Sequence, residues 1–234
     1  MWEGKLKAVT FSYDDGVLQD VRLIQILNKY NLKATFNLNS ERFGRKDYST
    51  ATGVYNDRST VQAKAVKKLY QSHEVAVHTL THPLLPDLDE TEIIRQVEQD
   101  RINLSKLVDY EVKGMAYPCG GVNNDDRVAA IIKANTGVKY ARTITATYSF
   151  ELQDNLYRFN PTLHHGKFDR MFELGQELID MKADRPQIFY IWGHSYEFDR
   201  DNTWDKFEEF CKMISGRKDI FYGTNAEVLG IECR

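Results

Sequence analysis

Leu6-Lys7-Ala8-Val9-Thr10-Phe11-Ser12-Tyr13-Asp14-Asp15-Gly16 mixes apolar and β-favouring residues and then stops at two carboxylates and a glycine. Such a run reads as a strand ending in a sharp turn, because glycine reaches backbone angles closed to other residues. Val17, Val21, Ile24 and Leu27 then recur at helical spacing and predict a helix over 17–30, and Ala34-Thr35-Phe36-Asn37-Leu38 predicts a second strand. Strand, helix, strand is the opening unit, and the alternation continues. A helix is expected over 61–72, a strand over 74–79, and a long helix over 89–108 striped by Ile93, Val97, Leu104 and Val108, with a capping box between Asp89 and Glu92. A strand over 114–117, a helix over 125–135, β-rich sequence over 140–148 and a helix over 169–183 follow. An apolar strand over 187–192, a helix over 203–215 and a last strand over 220–222 complete the pattern. Repeated strand–helix alternation implies an α/β fold with a parallel sheet, either open and doubly wound or closed as a barrel. Both architectures gather the residues that follow the C-terminal strand ends on one face. Residues 40–60, polar and small, read as an excursion over the surface beside that face.

With 234 residues, 42% of them hydrophobic and 28% charged, the chain fits one large domain better than two. A formal net charge of -3 and a pI near 6.1 give no footprint for nucleic acid. No apolar run approaches the roughly 20 residues of a membrane helix, so no membrane partner is expected. The start, Met1-Trp2-Glu3-Gly4-Lys5, runs straight towards the first strand without the pattern of a secretory signal, which predicts a cytoplasmic location. Cys119, Cys211 and Cys233 are scattered, so reduced thiols are the default.

The chemistry-bearing residues fall on the expected face. Asp14 and Asp15 close the first strand, His78 closes Glu74-Val75-Ala76-Val77, and His82 follows at i, i+4. Alone, each motif reads as a polar turn or as loop histidines bonded to backbone. Together Asp15, His78 and His82 form a three-ligand set suited to a divalent ion, most simply zinc with cobalt or nickel as alternatives, and leave positions open for water and substrate. Asp14, beside this set, is placed to take a proton from water activated by the ion.

On these residues the sequence resembles the polysaccharide deacetylases, carbohydrate esterase family four. The family's Thr-Phe-Asp-Asp-Gly is matched at Phe11-Ser12-Tyr13-Asp14-Asp15-Gly16, and its His-Thr-x-x-His-Pro at His78-Thr79-Leu80-Thr81-His82-Pro83. The resemblance spans about Lys7 to Tyr222 and implies an incomplete or distorted (β/α) barrel of about seven parallel strands. It implies Asp14 as catalytic base, Asp15, His78 and His82 as metal ligands, and an acetylated sugar or oligosaccharide as substrate. The third motif, Arg-x-Pro-Tyr/Phe, is met by Ala116-Tyr117-Pro118-Cys119, which keeps only the proline. The family's arginine tunes the catalytic aspartate; Arg142, after the next strand, is the candidate replacement and is also expected to contact substrate, against an ordinary surface salt bridge. The Cys119 N–H matches the oxyanion donor, and its thiol is no nucleophile for want of an activating partner. Ile188-Phe189-Tyr190-Ile191-Trp192-Gly193-His194 matches the final motif and makes His194 the general acid. An orienting aspartate from Asp-x-x-Asp-Trp is missing, with Glu197 and Asp199 as substitutes, and His164-His165 receive no role. Tyr117, Trp192 and Tyr196 are either platforms for a sugar ring or core residues.

Two other functions compete with the removal of an N-acetyl group. One is hydrolysis of another C–N bond, in a cyclic amide or ureide, by the same ion and base. The other is a metal-containing carbohydrate-binding module without turnover, which the missing arginine and aspartate favour.

Overall fold

Lys7–Asp14 form β1, buried along its whole length because strands pair with it on both sides. The computed structural model describes residues 2–50, 53 and 55–232; Cys233 lies outside the described residues. In chain order follow α1 (Asp20–Lys29), β2 (Ala34–Leu38), a small antiparallel ribbon of β3 (Tyr48–Ser49) and β4 (Asn56–Asp57), α2 (Val66–Leu69) and β5 (Glu74–Val77). Then come α3 (Glu90–Ile94), α4 (Asp100–Val108), β6 (Gly114–Ala116), α5 (Asp126–Asn135), β7 (Tyr140–Arg142), β8 (Leu163–His164) and α6 (Phe168–Asp180). The chain closes with β9 (Gln187–Gly193), α7 (Tyr196–Arg200), α8 (Trp204–Ile214), β10 (Ile220–Tyr222) and α9 (Asn225–Leu229).

The sheet runs β7-β6-β5-β2-β1-β9-β8 with every pairing parallel. Below the stretch of β1 that pairs with β2, β10 pairs with Lys7, Ala8 and Val9. Among the described residues β7 and β8 do not pair with each other; the connection between them spans the gap, bridging Arg142 to Phe159 and Gln187 to Glu151. The result is an incomplete (β/α) barrel.

Alternation along β1 separates two environments. Val9, Phe11 and Tyr13 face the helical layer, where Phe11 and Tyr13 meet Phe207 of α8 edge-on at 6.0 and 6.2 Å between ring centroids. Burial of each such ring contributes about 2–3 kcal/mol. Thr10, Ser12 and Asp14 face the barrel interior, which is polar and hydrogen-bonded: Asn225 Nδ2 donates to Thr10 Oγ1, Arg142 Nε to Ser12 Oγ, and Tyr140 OH to Glu74 Oε1. A second apolar cluster of Trp2, Ala8, Ile188, Tyr190 and Val228 lies on this inner side. The interior is therefore apolar at one end and carries side-chain chemistry towards the other.

Several expected elements differ in extent. The first helix starts at Asp20 because Val17 bridges to Thr60, so the buried stripe is Leu23, Ile24 and Leu27 while Val21 is 45% exposed. The helix expected over 61–72 shrinks to a 3-10 turn and the four residues of α2, within which Val66 is the buried residue. The long helix runs without interruption from Glu90 to Val108, but its middle turn, Arg95–Gln99, is a π turn between α3 and α4. Asp89 caps the Glu92 N–H, yet Glu92 turns to Arg95 and Gln96, so only half of the capping box forms. The β-rich stretch stops at Arg142, where Thr143 N–H turns to Phe159 O. At Asp180 the sixth helix ends, its last carbonyls taken up by Lys7 Nζ, which bonds Leu178, Ile179 and Met181.

Candidate active site

Asp15, His78 and His82 come together beyond the C-terminal ends of β1 and β5. Asp15 Oδ1 lies 3.8 Å from His78 Nε2 and 3.5 Å from His82 Nε2. His78 Nδ1 contacts Ala116 O at 2.9 Å, so that nitrogen carries the proton and Nε2 presents a lone pair. Burial lowers the pKa of His78, and burial with the neighbouring His78 takes His82 down to about 4, so both rings are neutral at ordinary pH. Asp15 Oδ1 is buried without a hydrogen-bond partner among the described residues. A carboxylate oxygen facing two unprotonated nitrogens leaves three lone pairs converging on one point, which a cation resolves. The spacings approach the ~3.4 Å that donors about 2.1 Å from a tetrahedral ion adopt. The donor set fits a divalent ion.

The loops holding these ligands are strained. Asp15, Thr79, His82 and Cys119 all have φ between 67° and 77°, in the left-handed region that non-glycine residues seldom occupy. His82 does not reach the site by one helical turn, as its i, i+4 spacing suggested; two left-handed residues fold 79–82 into a tight loop. The π turn holds that loop, since Gln96 O accepts from Leu80 N and Gln96 Oε1 from Thr81 N. Asp100, buried at the start of α4, accepts from Ser40 N at 2.8 Å and His78 N at 3.3 Å. Neither residue was singled out in sequence; the π turn that aims them leaves no mark on a hydrophobic stripe.

Asp14, 2% exposed, receives Arg142 Nη2 on both oxygens at 2.6 Å and Asn37 Nδ2 on Oδ1 at 2.8 Å. Burial alone would raise its pKa, but the Arg142 guanidinium, with smaller contributions from His78 and His194, more than offsets this and the carboxyl sits below its ordinary value. Arg142 itself is 0% exposed, its guanidinium 4.5 Å from the Trp192 ring centroid. Its expected contact with substrate is therefore corrected: Asp14, Ser12 and Thr143 O consume its donors, and it does not line the cavity.

His194 stands across the same cavity. Its Nδ1 faces Glu197 Oε2 at 3.5 Å, an ion-pair distance longer than a good hydrogen bond, and its backbone N donates to the same oxygen at 3.2 Å. Burial alone would lower the His194 pKa, yet Glu197 carries it up to about 9. Glu197 also meets His164 Nε2 at 3.0 Å and His165 Nε2 at 3.1 Å. Gly166 N donates to His164 Nδ1, and Tyr13 OH lies 3.3 Å from His165 Nδ1, so both Nε2 atoms carry protons and donate to Glu197. These two histidines and Glu197 also lie within metal-ligand distance of one another, but their protons make them a hydrogen-bonded support for the carboxylate. Asp199 takes no part; it accepts from Trp204 Nε1. Behind the loop Asp20 accepts from Ser195 Oγ at 2.6 Å and Tyr70 OH at 2.8 Å, tying α1 to the residue after His194.

The cavity between these groups measures about 270 Å³. The Cys119 N–H points into it at His82 Nε2, 3.5 Å away, and burial raises the thiol pKa, so the backbone and not the sulfur is the usable group. Trp192 and Tyr196 line the wall. Tyr117 also borders it but is 1% exposed with its hydroxyl on Tyr157 O, so of its two readings, sugar platform or core residue, it takes the second, and its substrate-binding role is corrected.

Residues 3–141, more than half of the chain, match the family model described as polysaccharide deacetylase. The chain belongs to the polysaccharide deacetylase family. No curated protein matches it in sequence. The chitin deacetylase of Colletotrichum lindemuthianum superposes with a TM-score of 0.62 at 18% identity, over 98% of this chain and 90% of that one. A peptidoglycan deacetylase of Bacillus subtilis gives 0.58 at 16%, over 97% and 91%. A family 4 carbohydrate esterase pseudoenzyme of Bacillus anthracis gives 0.54 at 19%, over 95% of this chain and 65% of that one. At these identities the likeness shows the shared fold. Within this member of the family the third motif lacks arginine, and Arg142 reaches Asp14 from β7 instead; the orienting aspartate of the resemblance is missing, and Glu197 reaches His194 from α7.

Proposed function

We propose that the protein is a metal-dependent hydrolase that removes the acetyl group from an N-acetylated saccharide. The observation that carries this reading is the convergence on one cavity of an arginine-held carboxylate, a three-donor Asp/His/His set and a glutamate-held imidazole. Asp15 Oδ1, His78 Nε2 and His82 Nε2 would hold the divalent ion, zinc first and cobalt or nickel as alternatives. When bound, such an ion polarises the acetamide carbonyl and acidifies water. Asp14, kept anionic by Arg142 and oriented by Asn37, accepts the proton of the attacking water. The Cys119 N–H donates to the oxygen of the tetrahedral intermediate, needing no side chain for the purpose. His194 gives its proton to the departing nitrogen, and Glu197 keeps it charged until then. The water oxygen ends on the acetyl carbon, so acetate and a free amine leave and no covalent intermediate forms.

A binding module without turnover is disfavoured, because the two interactions whose absence suggested it are supplied by Arg142 and Glu197. The names of related proteins, which specify chitin and peptidoglycan, support a saccharide substrate. Acetate release from a panel of N-acetylated oligosaccharides by zinc- or cobalt-loaded protein, with Asp14→Asn as control and small cyclic amides as a second arm, tests the proposal. Release that the variant loses supports it; no release across pH and metals, or turnover of the cyclic amides alone, refutes it.

A further inference from the structure

The excursion over residues 40–60 brings two arginines against the metal-ligand side of the cavity. A second hollow of about 140 Å³ adjoins the first; Arg42, Asp47 and Thr60 line it, and it shares Asp15, Arg58 and His82 with its neighbour. Arg42 Nη2 stands 3.6 Å and Arg58 Nη2 3.8 Å from the single carboxylate of Asp47, beyond hydrogen-bonding range of a group that balances only one of them. The Nε atoms of both arginines are buried and have no acceptor among the described residues. Both guanidinium groups therefore line the hollow with Nη2 atoms that no close acceptor engages, and together they mark a place for an acceptor that the chain itself does not provide.

Holding the loop does not require these guanidinium groups. Gly44 N donates to Val61 O, Thr60 N to Arg45 O, Arg58 N to Asp47 O, and Thr60 Oγ1 to Arg42 O. These main-chain and hydroxyl bonds join residues 42–47 to 58–61 without using either guanidinium group. Tyr196 sits under Arg58, whose guanidinium carbon is 5.8 Å from the ring centroid, and it faces the larger cavity. Asp15, the remaining carboxylate of the hollow, belongs to the ligand set, so Arg42 and Arg58 outnumber the negative charge left to them by Asp47.

The geometry points to an anion subsite formed by Arg42 and Arg58: the protein selects N-acetylated saccharides that carry a carboxylate or phosphate group within reach of the acetamide. Planar, forked guanidinium donors suit both anions. This inference rests on the deacetylase reading for where the acetamide lies and for the engagement of Asp15 by a metal ion, and binding can be measured without turnover.

The test is calorimetric titration of the zinc-loaded protein with N-acetylglucosamine, N-acetylglucosamine 6-phosphate and N-acetylmuramic acid, repeated with the Arg42→Gln/Arg58→Gln variant. In the wild type at least one anionic sugar binds about 10-fold or more tightly than the neutral one, and the variant brings that ratio near 1. Which anionic sugar binds better separates a phosphate from a carboxylate. Preference for the anionic sugar also weakens as salt rises from low ionic strength, a readout on the wild type that survives if the double variant fails to fold. Equal binding of neutral and anionic sugars, or a preference unmoved by both arginine substitution and salt, overturns the subsite. Absence of acetate release from every sugar, with the binding preference intact, instead counts against the deacetylase reading.

Discussion

Replacing Glu197 with Gln keeps the side chain's size and one acceptor for His164 and His165, yet removes the charge that holds His194 protonated. In the native site His194 is carried up to about 9 although burial opposes it. Without the carboxylate, burial still pulls the ring down while Asp15 and Asp14 pull it up; with its ordinary value of 6.5 as the reference, the change is worth about 3 kcal/mol at about 1.4 kcal/mol per pH unit. At pH 8 the protonated fraction then drops from about nine-tenths to about 3%, so a reaction that needs His194 as acid slows about 30-fold; at pH 6 the ring stays mostly protonated and the loss is under about two-fold. The assay is kcat for acetate release against pH from about 5.5 to 9.5, paired with NMR titration of the imidazole. Stability gives a second readout with a defined sign. Because the folded pKa is raised, the pair's contribution is complete below about pH 6.5 and is lost as pH rises through about 9, so the stability gap between wild type and variant closes in alkali. An equal loss of rate at pH 6 and pH 8, or an imidazole that still titrates near 9 in the variant, refutes the assignment.

Arg142→Met strands the buried Asp14 carboxylate and is expected to cost about 3–5 kcal/mol in urea denaturation, part of it recovered when Asp14→Asn is added. Asp20, pushed up to about 7 by burial from an ordinary 3.8, keeps its proton in the folded state after the unfolded chain has lost it, so stability falls as pH rises between about 4 and 7. Asp20→Asn, which can satisfy the Ser195 and Tyr70 hydroxyls while neutral, should flatten that dependence and match or exceed the wild-type Tm at pH 8, whereas Asp20→Ala should lower it. Chelator-stripped protein is expected to take up one zinc per chain by elemental analysis, and His78→Ala should abolish stoichiometric uptake while far-UV circular dichroism stays native.

Local chemistry made much of this protein legible from its sequence. Strands ending in Asp14-Asp15, Val77 before His78, and Gly193 before His194 placed three motifs on one face, because in a parallel α/β sheet the C-terminal strand ends must share a rim. Periodicity served where a helix covers the core, as in α8 with Trp204, Phe207, Phe210 and Ile214. It found the helical run over 90–108 but not the π turn inside it, which places Gln96 and Asp100 under the loop of residues 78–82, because the apolar stripe of Ile93, Val97 and Leu104 continues through that turn.

What tertiary structure alone decided is which charges meet. Arg142 looked equally like a surface residue, and only the curvature that brings β7 over β1 puts its guanidinium, fully buried, on Asp14. Glu197 was one of two candidates separated by a single residue, and the short helix α7 turned it towards His164, His165 and His194 while Asp199 went to Trp204. Residue type and spacing fix what a strand end can offer; long-range contact, which no local pattern encodes, fixes the partner that sets its charge.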